Sequence, residues 1–138
     1  MVSDKPLPGV ALALLILRLV AGGFLLPHGL GKLFGWFGGP GLAGFGGELQ
    51  QFGLPAGPPL PLLLALIQVL AGLAVLLGAW TRASAALAAL FIGVTVVLNV
   101  SHGWFWMQGG VEYPLMWLSC LVALVFAGGG AWSLDRLR

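Results

Sequence analysis

Four long apolar stretches constrain this chain more than any other feature of its sequence. They cover residues of about 9–27, 60–80, 83–101 and 114–131. A helix needs about 20 apolar residues to cross a bilayer. Only 7% of the residues are charged, whereas soluble domains carry about 25%, so this chain cannot cover a water-facing surface. We therefore predict an all-α membrane protein, in which residues 1–138 form a single domain and four transmembrane helices pack as a compact bundle.

The composition also excludes several classes of function. The few charges form no run of like sign, so there is no electrostatic footprint for nucleic acid. The single cysteine, Cys120, excludes an internal disulfide and dithiol chemistry within the chain. Neither a His-x3-His nor an HExxH pattern is present, so we predict no metal site. No catalytic residue and no cofactor motif can be identified.

The cationic residues outside the spans predict an orientation. With four spans both termini share a side, and most of these residues then lie on that side: Lys5, Arg82, Arg136 and Arg138. Lys32 alone lies on the other side. Positive charge is retained in the cytoplasm, so we expect both termini to be cytoplasmic. Loops of about 28–58 and 102–113 then lie on the outer face.

The residue mix favours a GC-rich prokaryote, because Gly, Ala, Leu and Trp are abundant and Arg exceeds Lys. We therefore expect the plasma (inner) membrane as the location, with membrane lipids as the first partners. The sequence leaves the oligomeric state open, and a homo-oligomer is compatible with it.

Residues 33–54 of the first loop are rich in Gly and Phe, and Glu48 is their single charged residue. In water this segment would expose a large apolar area. It either lies on the lipid headgroups as an interfacial segment or folds over the bundle as a lid, which requires cover by protein. The sequence favours neither arrangement over the other.

Arg18 interrupts the first apolar stretch, and a charge within a span is a candidate for function by default. Counting residues from the ends of the spans places Gln68 at a similar depth, so we predict that Arg18 and Gln68 touch. The pair is either a structural clamp between helices or a positive site for a ligand oxygen. Gly22 and Gly72 each follow by four residues, which predicts close helix packing on the same faces.

A second polar group gathers near the outer ends of the spans. His28 and Lys32 share a face if the first helix continues past Pro27. Asn99 and His102 lie, with Thr95, on one stripe of the third span. Glu112 directly precedes the fourth span. We predict a ligand pocket with Arg18 and Gln68 as its floor and with these outer residues at its rim: His28, Lys32, Asn99, His102 and Glu112. The alternative is that the outer groups face headgroups and never converge.

Several short motifs occur together along the whole chain. They are Leu17–Val20, His28–Leu33, Phe52–Pro55, the glycines and polar residues Gly72, Gly78, Thr81 and Arg82, then His102–Gly103, Gly110–Leu115 and Gly130–Asp135. In these motifs the sequence resembles the DoxX family of small four-helix membrane proteins. It departs from the family at Gln68, where members usually have a glutamate, so a charge pair with Arg18 cannot form here.

The resemblance implies a place near quinone-linked respiration, because some members are described as subunits of quinol oxidases or of thiosulfate:quinone oxidoreductases. It therefore predicts a small membrane subunit that binds a quinone or a similar lipid-like ligand and supports a redox-enzyme partner. Because no redox centre can be identified in the chain, we expect no intrinsic activity, and any activity would be that of a quinone-linked oxidoreductase of which the chain is a part. The rival interpretations are a transporter or lipid-binding bundle, and a purely structural subunit.

Overall fold

The computed structural model describes residues 7–137, and the regular elements in that range are helical. The α-helices are α1 (Pro8–Ala21), α2 (Leu25–Phe34), α3 (Gly41–Gln51), α4 (Pro59–Leu77), α5 (Thr81–Asn99) and α6 (Glu112–Ala127). Short 3-10 turns lie at Trp36–Gly38, Val100–His102, Trp106–Gln108 and Leu134–Leu137. Lys5 and Arg138, on which half of the orientation argument depends, lie outside the described residues.

Helices α1 and α2 form one bent apolar segment, Pro8–Phe34. Pro27 has no N–H to donate to the carbonyl of Gly23. The N–H of Leu26 donates to this carbonyl instead, at 3.1 Å. Leu25 likewise donates to Gly22, which releases the carbonyl of Ala21. The helical segment therefore continues past Pro27, which was the condition for His28 and Lys32 to share a face, and the bend follows from Pro27 and from Gly22 and Gly23 before it.

The predicted first loop of residues 28–58 is wrong, because most of it is helical. Its first part is α2 and its middle is α3, whose buried face contains Phe45, Gly46 and Leu49. Helix α3 packs against α2 and α4. Gly35, at φ 75°, ends α2 in the left-handed conformation that glycine adopts readily. The sequence did not predict these helices, because glycine has a low helix propensity and adds no apolar side chain to a helical pattern.

The long segments pack as a ring in which α1–α2 contacts α4, α4 contacts α5, α5 contacts α6, and α6 returns to α1. Small residues allow the close approach that the sequence predicts. A Cβ atom added to Gly72 would lie 2.7 Å from the Cβ of Leu25 and 2.9 Å from the carbonyl oxygen of Gly22. The core contains Val75, Leu121 and Leu124, all fully buried.

The outside of this ring is apolar, as it must be in lipid. Leu70, Leu90 and Val97 are between 62% and 71% exposed, and a soluble monomer rarely exposes such continuous apolar area. Within the part of the chain that the structure describes, three segments are long and apolar enough to cross a membrane: Pro8–Phe34, Pro59–Leu77 and Thr81–His102. The fourth predicted span corresponds to α6, whose 16 residues extend about 24 Å against a hydrocarbon core of about 30 Å. Its crossing stays a prediction.

Candidate functional site

Two adjacent cavities lie at the end of the ring where α4 begins. The smaller one, about 240 Å³, is called the ring pocket here and is lined from α2, α4, α5, the Trp106–Gln108 turn and α6. The larger one, about 510 Å³, is called the apolar groove and lies between α3, α4 and α5. The two cavities share four lining residues, which are Lys32, Phe91, Thr95 and Asn99. A ligand in either cavity would therefore touch the same polar groups.

Lys32 lies at the boundary between the ring pocket and the apolar groove. Its Nζ donates a hydrogen bond of 2.8 Å to Oε1 of the buried Gln68. The ammonium group also lies 4.6 Å from the ring centre of Phe45 and 5.1 Å from that of Phe91, where the negative ring faces attract a cation. Helical side chains lean toward the N-terminus of their helix, which brings Lys32 back toward the level of Gln68.

His28 lies one turn before Lys32 and lines the ring pocket. Its imidazole packs on the indole of Trp117 with ring centres 5.3 Å apart. Trp117 is itself held in place, because its Nε1–H donates to the released carbonyl of Ala21 at 2.8 Å. The bend between α1 and α2 therefore positions an aromatic wall of the pocket.

The α5 side of the ring pocket is polar. Thr95 and Asn99 are one helical turn apart, and both are half-buried. The Asn99 Nδ2 donates to the carbonyl of Thr95 at 2.7 Å, while its Oδ1 can accept a hydrogen bond from a ligand. With His28, Lys32 and Gln68, these groups give the pocket several donors and acceptors around an aromatic slot.

Arg18 lies elsewhere, and the predicted contact with Gln68 is wrong. Its guanidinium donates four hydrogen bonds of 2.7–3.2 Å to backbone carbonyls: Val75, Leu76, Gly129 and Trp132. Those acceptors belong to the last turn of α4 and to the segment after α6. The depth estimate failed because α1–α2 extends beyond Pro27, so that Arg18 lies beside Gly78, not beside Gln68.

This arrangement favours the structural interpretation of Arg18. The side chain is only 3% exposed, and four of its donors are satisfied by protein, so it does not present a free positive group to a ligand. The last carbonyls of a helix lack partners within the helix, and an arginine fork supplies donors to several at once. Arg18 therefore ties α1 to the end of α4 and to the C-terminal segment.

The C-terminal segment is fastened by a second polar group close to Arg18. The Asp135 carboxylate accepts hydrogen bonds from the N–H groups of Trp80 and Thr81, at 2.7 and 2.8 Å, and from the Thr81 hydroxyl at 2.6 Å. These donors are at the start of α5, where a helix has unpaired N–H groups and favours a negative charge. At this end of the ring, the hydrogen bonds of Arg18 and Asp135 therefore hold the C-terminal segment against α1, α4 and α5.

His102 and Glu112 do not join the residues around Lys32. His102 is exposed, and Glu112 is half-buried in the first turn of α6; neither lines the ring pocket or the apolar groove. The stripe that includes Thr95, Asn99 and His102 assumed a continuous α-helix, but α5 ends at Asn99 and a 3-10 turn follows. Of the seven predicted ligand residues, the structure brings together His28, Lys32, Gln68 and Asn99.

Sequence reasoning missed the aromatic residues that shape the ring pocket. Trp117 and Phe91 lie within apolar stretches, where periodicity does not separate a pocket wall from ordinary packing. Trp106 and Tyr113 line the pocket too, and Trp and Tyr near the end of a span are equally typical of the aromatic belt at a membrane interface. Within residues 7–137, no three His, Cys, Asp or Glu side chains come together to hold a metal ion. Cys120 packs against the core.

Comparison with known proteins bears on the same region. The DoxX family model matches residues 13–103, which include most of α1 and all of α2 to α5. The chain belongs to the DoxX family. No curated protein and no solved structure matches it. The family assignment and the apolar exterior together make this a small membrane protein.

The position of Gln68 has a different meaning once the structure is known. A glutamate at this place in a DoxX relative was expected to face the arginine. The hydrogen bond between Lys32 and Gln68 shows that a carboxylate at residue 68 would meet the lysine instead. Here the amide oxygen of Gln68 accepts a hydrogen bond from Lys32, and an amide has no charge with which to form an ion pair.

Proposed function

We propose that this DoxX protein is a membrane subunit that binds the head of a quinone in the ring pocket and serves a quinone-linked oxidoreductase. The observation that carries the proposal is the convergence of His28, Lys32, Gln68 and Asn99 on one aromatic cavity. Ligand sites are typically concave and mostly apolar, with a few convergent polar groups. The family resemblance, which implies a place near quinone-linked respiration, supports the same conclusion.

The shape and the polar groups both suit a flat ring with two carbonyls. Trp117 and Phe91 provide apolar walls, while Lys32 and His28 lie on the same face of α2, one turn apart. Lys32 can donate a hydrogen bond to one carbonyl. His28 can donate to the other carbonyl through the ring nitrogen that carries its proton. We assign to this chain the binding step alone, with electrons supplied by a partner enzyme.

A lipid-binding bundle or transporter is the second candidate, and a purely structural subunit is the third. The apolar groove favours the second, because its long apolar walls end near an ammonium group. Arg18, which first suggested an anion site, no longer supports it, since its donors bind backbone carbonyls. Lys32 is then the single candidate for an anionic headgroup among the residues that line the groove.

Equilibrium binding of a tail-less benzoquinone to the protein in lipid nanodiscs tests the proposal. Quinones quench indole fluorescence on contact, and Trp106 and Trp117 line the pocket, so quenching reports occupancy. We expect His28→Ala and Lys32→Met each to weaken binding about two- to tenfold, the effect of one hydrogen bond of about 0.5–1.5 kcal/mol.

The chain supplies its own matched control in His102. This exposed histidine lines neither cavity, so His102→Ala should bind as tightly as the wild type. If the wild type does not bind the quinone, or if His28→Ala and Lys32→Met fold and bind unchanged, the proposal is wrong. Tight binding of an anionic phospholipid in place of the quinone would support the second candidate.

A further inference from the structure

We infer that the apolar groove holds the tail of the same ligand, so that the protein selects a neutral amphiphile with one long apolar chain. This inference rests on the proposed function of the ring pocket and names its ligand class. The groove and the pocket meet at Lys32, Phe91, Thr95 and Asn99. A ring in the pocket would therefore direct a substituent past the lysine stem and into the groove.

The dimensions of the groove suit a chain better than a second ring. Its α5 wall extends from Leu87 to Asn99, which is about 18 Å at 1.5 Å per residue. Leu64 and Ile67 form the facing α4 wall, and side chains of α3 complete the lining. The lining is elongated and mostly apolar, as an extended hydrocarbon requires.

The groove is also open toward the surroundings of the protein. Leu87, Leu90 and Val94 line it and are 45%, 68% and 50% exposed. These side chains belong to the apolar exterior that hydrocarbon covers, so a tail can enter sideways between α4 and α5. The ligand then reaches the ring pocket from the lipid without crossing water.

The charges in the groove favour a neutral ligand. Lys32 and Glu48 are the only charged side chains that line it, and their formal charges cancel. The lysine already donates to Gln68, and the aromatic rings of Phe45 and Phe91 further compensate its charge. A fatty-acid carboxylate would approach Glu48 as well as Lys32, and repulsion by Glu48 would offset its attraction to the ammonium.

Photolabelling with a quinone that carries a diazirine at the end of a decyl tail tests the inference. We expect labelled residues, mapped by mass spectrometry, on the groove walls of α4 and α5. Excess unlabelled decyl quinone should abolish this labelling. Ile67→Trp fills the groove from its α4 wall and should abolish the labelling as well, while binding of the tail-less quinone stays unchanged.

Leu63→Trp is the matched control, because Leu63 is 55% exposed on the same helix and does not line the groove; its labelling should equal that of the wild type. If the tail-less quinone binds but the tail labels all lipid-facing helices without competition, the groove inference is wrong and the proposed function stands. If the tail-less quinone does not bind, the proposed function itself fails. Stronger displacement of the probe by oleate than by oleyl alcohol would contradict the preference for a neutral ligand.

Discussion

Arg18 and Lys32 are two cations on one bent apolar segment, and they have different kinds of partner. The arginine donates to four backbone carbonyls, which suits a rigid planar fork with several donors. The lysine binds one amide oxygen and two aromatic faces, which suits a point charge on a flexible stem. The first arrangement stabilises the fold, and the second leaves further N–H donors of the lysine available to a ligand.

A pair of double-mutant cycles distinguishes these roles. We expect a coupling of about 0.6 kcal/mol, and at most about 1.7, between Lys32→Met and Gln68→Leu, because such values are measured for hydrogen bonds between helices in lipid. The control cycle between Arg18→Leu and Gln68→Leu should give no coupling. Free energies of unfolding in mixed detergent and SDS provide the measurement. Coupling between residues 18 and 68 would contradict the contacts described above.

Some helices of this protein form because of tertiary packing, although their own residues favour a helix only weakly. Helix α3 contains four glycines among its 11 residues, so its intrinsic helix propensity is low. It forms because Phe45 and Leu49 are buried against α2 and α4. The bend after α1 is likewise completed from outside, since Trp117 of α6 satisfies the carbonyl that the bend releases.

Close contact between α4 and the bent segment leads to a prediction for Gly72. Gly72→Ala should destabilise the protein by about 1–3 kcal/mol, the usual cost of overpacking, because the new Cβ would meet Leu25 and Gly22 at 2.7 and 2.9 Å. Gly93→Ala is the control, since nothing lies within 4 Å of its added Cβ. That variant should be neutral or stabilising, because alanine favours a helix over glycine. Equal losses of stability in the two variants would show that helix approach at Gly72 is not tight.

At the scale of the whole molecule, the two ends of the ring differ: one is held by polar contacts, and the other contains cavities. At one end, Arg18 donates to the last turn of α4 and to the C-terminal segment, and Asp135 accepts hydrogen bonds at the start of α5. The other end contains the ring pocket and the apolar groove, with Lys32 between them. A rigid end and an open end are consistent with a subunit that holds a membrane-soluble ligand.

The orientation of the molecule can be tested by cysteine labelling in intact cells. In a chain with Cys120 replaced by alanine, single cysteines at positions 40 and 108 should react with an impermeant maleimide, and one at position 82 should not. This follows from the four-to-one distribution of Lys and Arg about the predicted spans. Labelling at position 82 with protection at 40 and 108 would mean the opposite orientation.

The sequence by itself was enough to predict that this protein lies in a membrane, where its apolar segments are and which polar residues are candidates for a site. Hydropathy is additive along the chain, so the scarcity of charge was enough to predict helices in lipid, and the motifs were enough for the DoxX family, which is confirmed. Only the tertiary structure decided which polar groups meet. Contacts depend on where a helix bends and how two helices register, and shifting a pairing by two turns moves a side chain about 11 Å. Because of that shift, Gln68 accepts a hydrogen bond from Lys32, and Arg18 donates instead to the carbonyls at the end of α4.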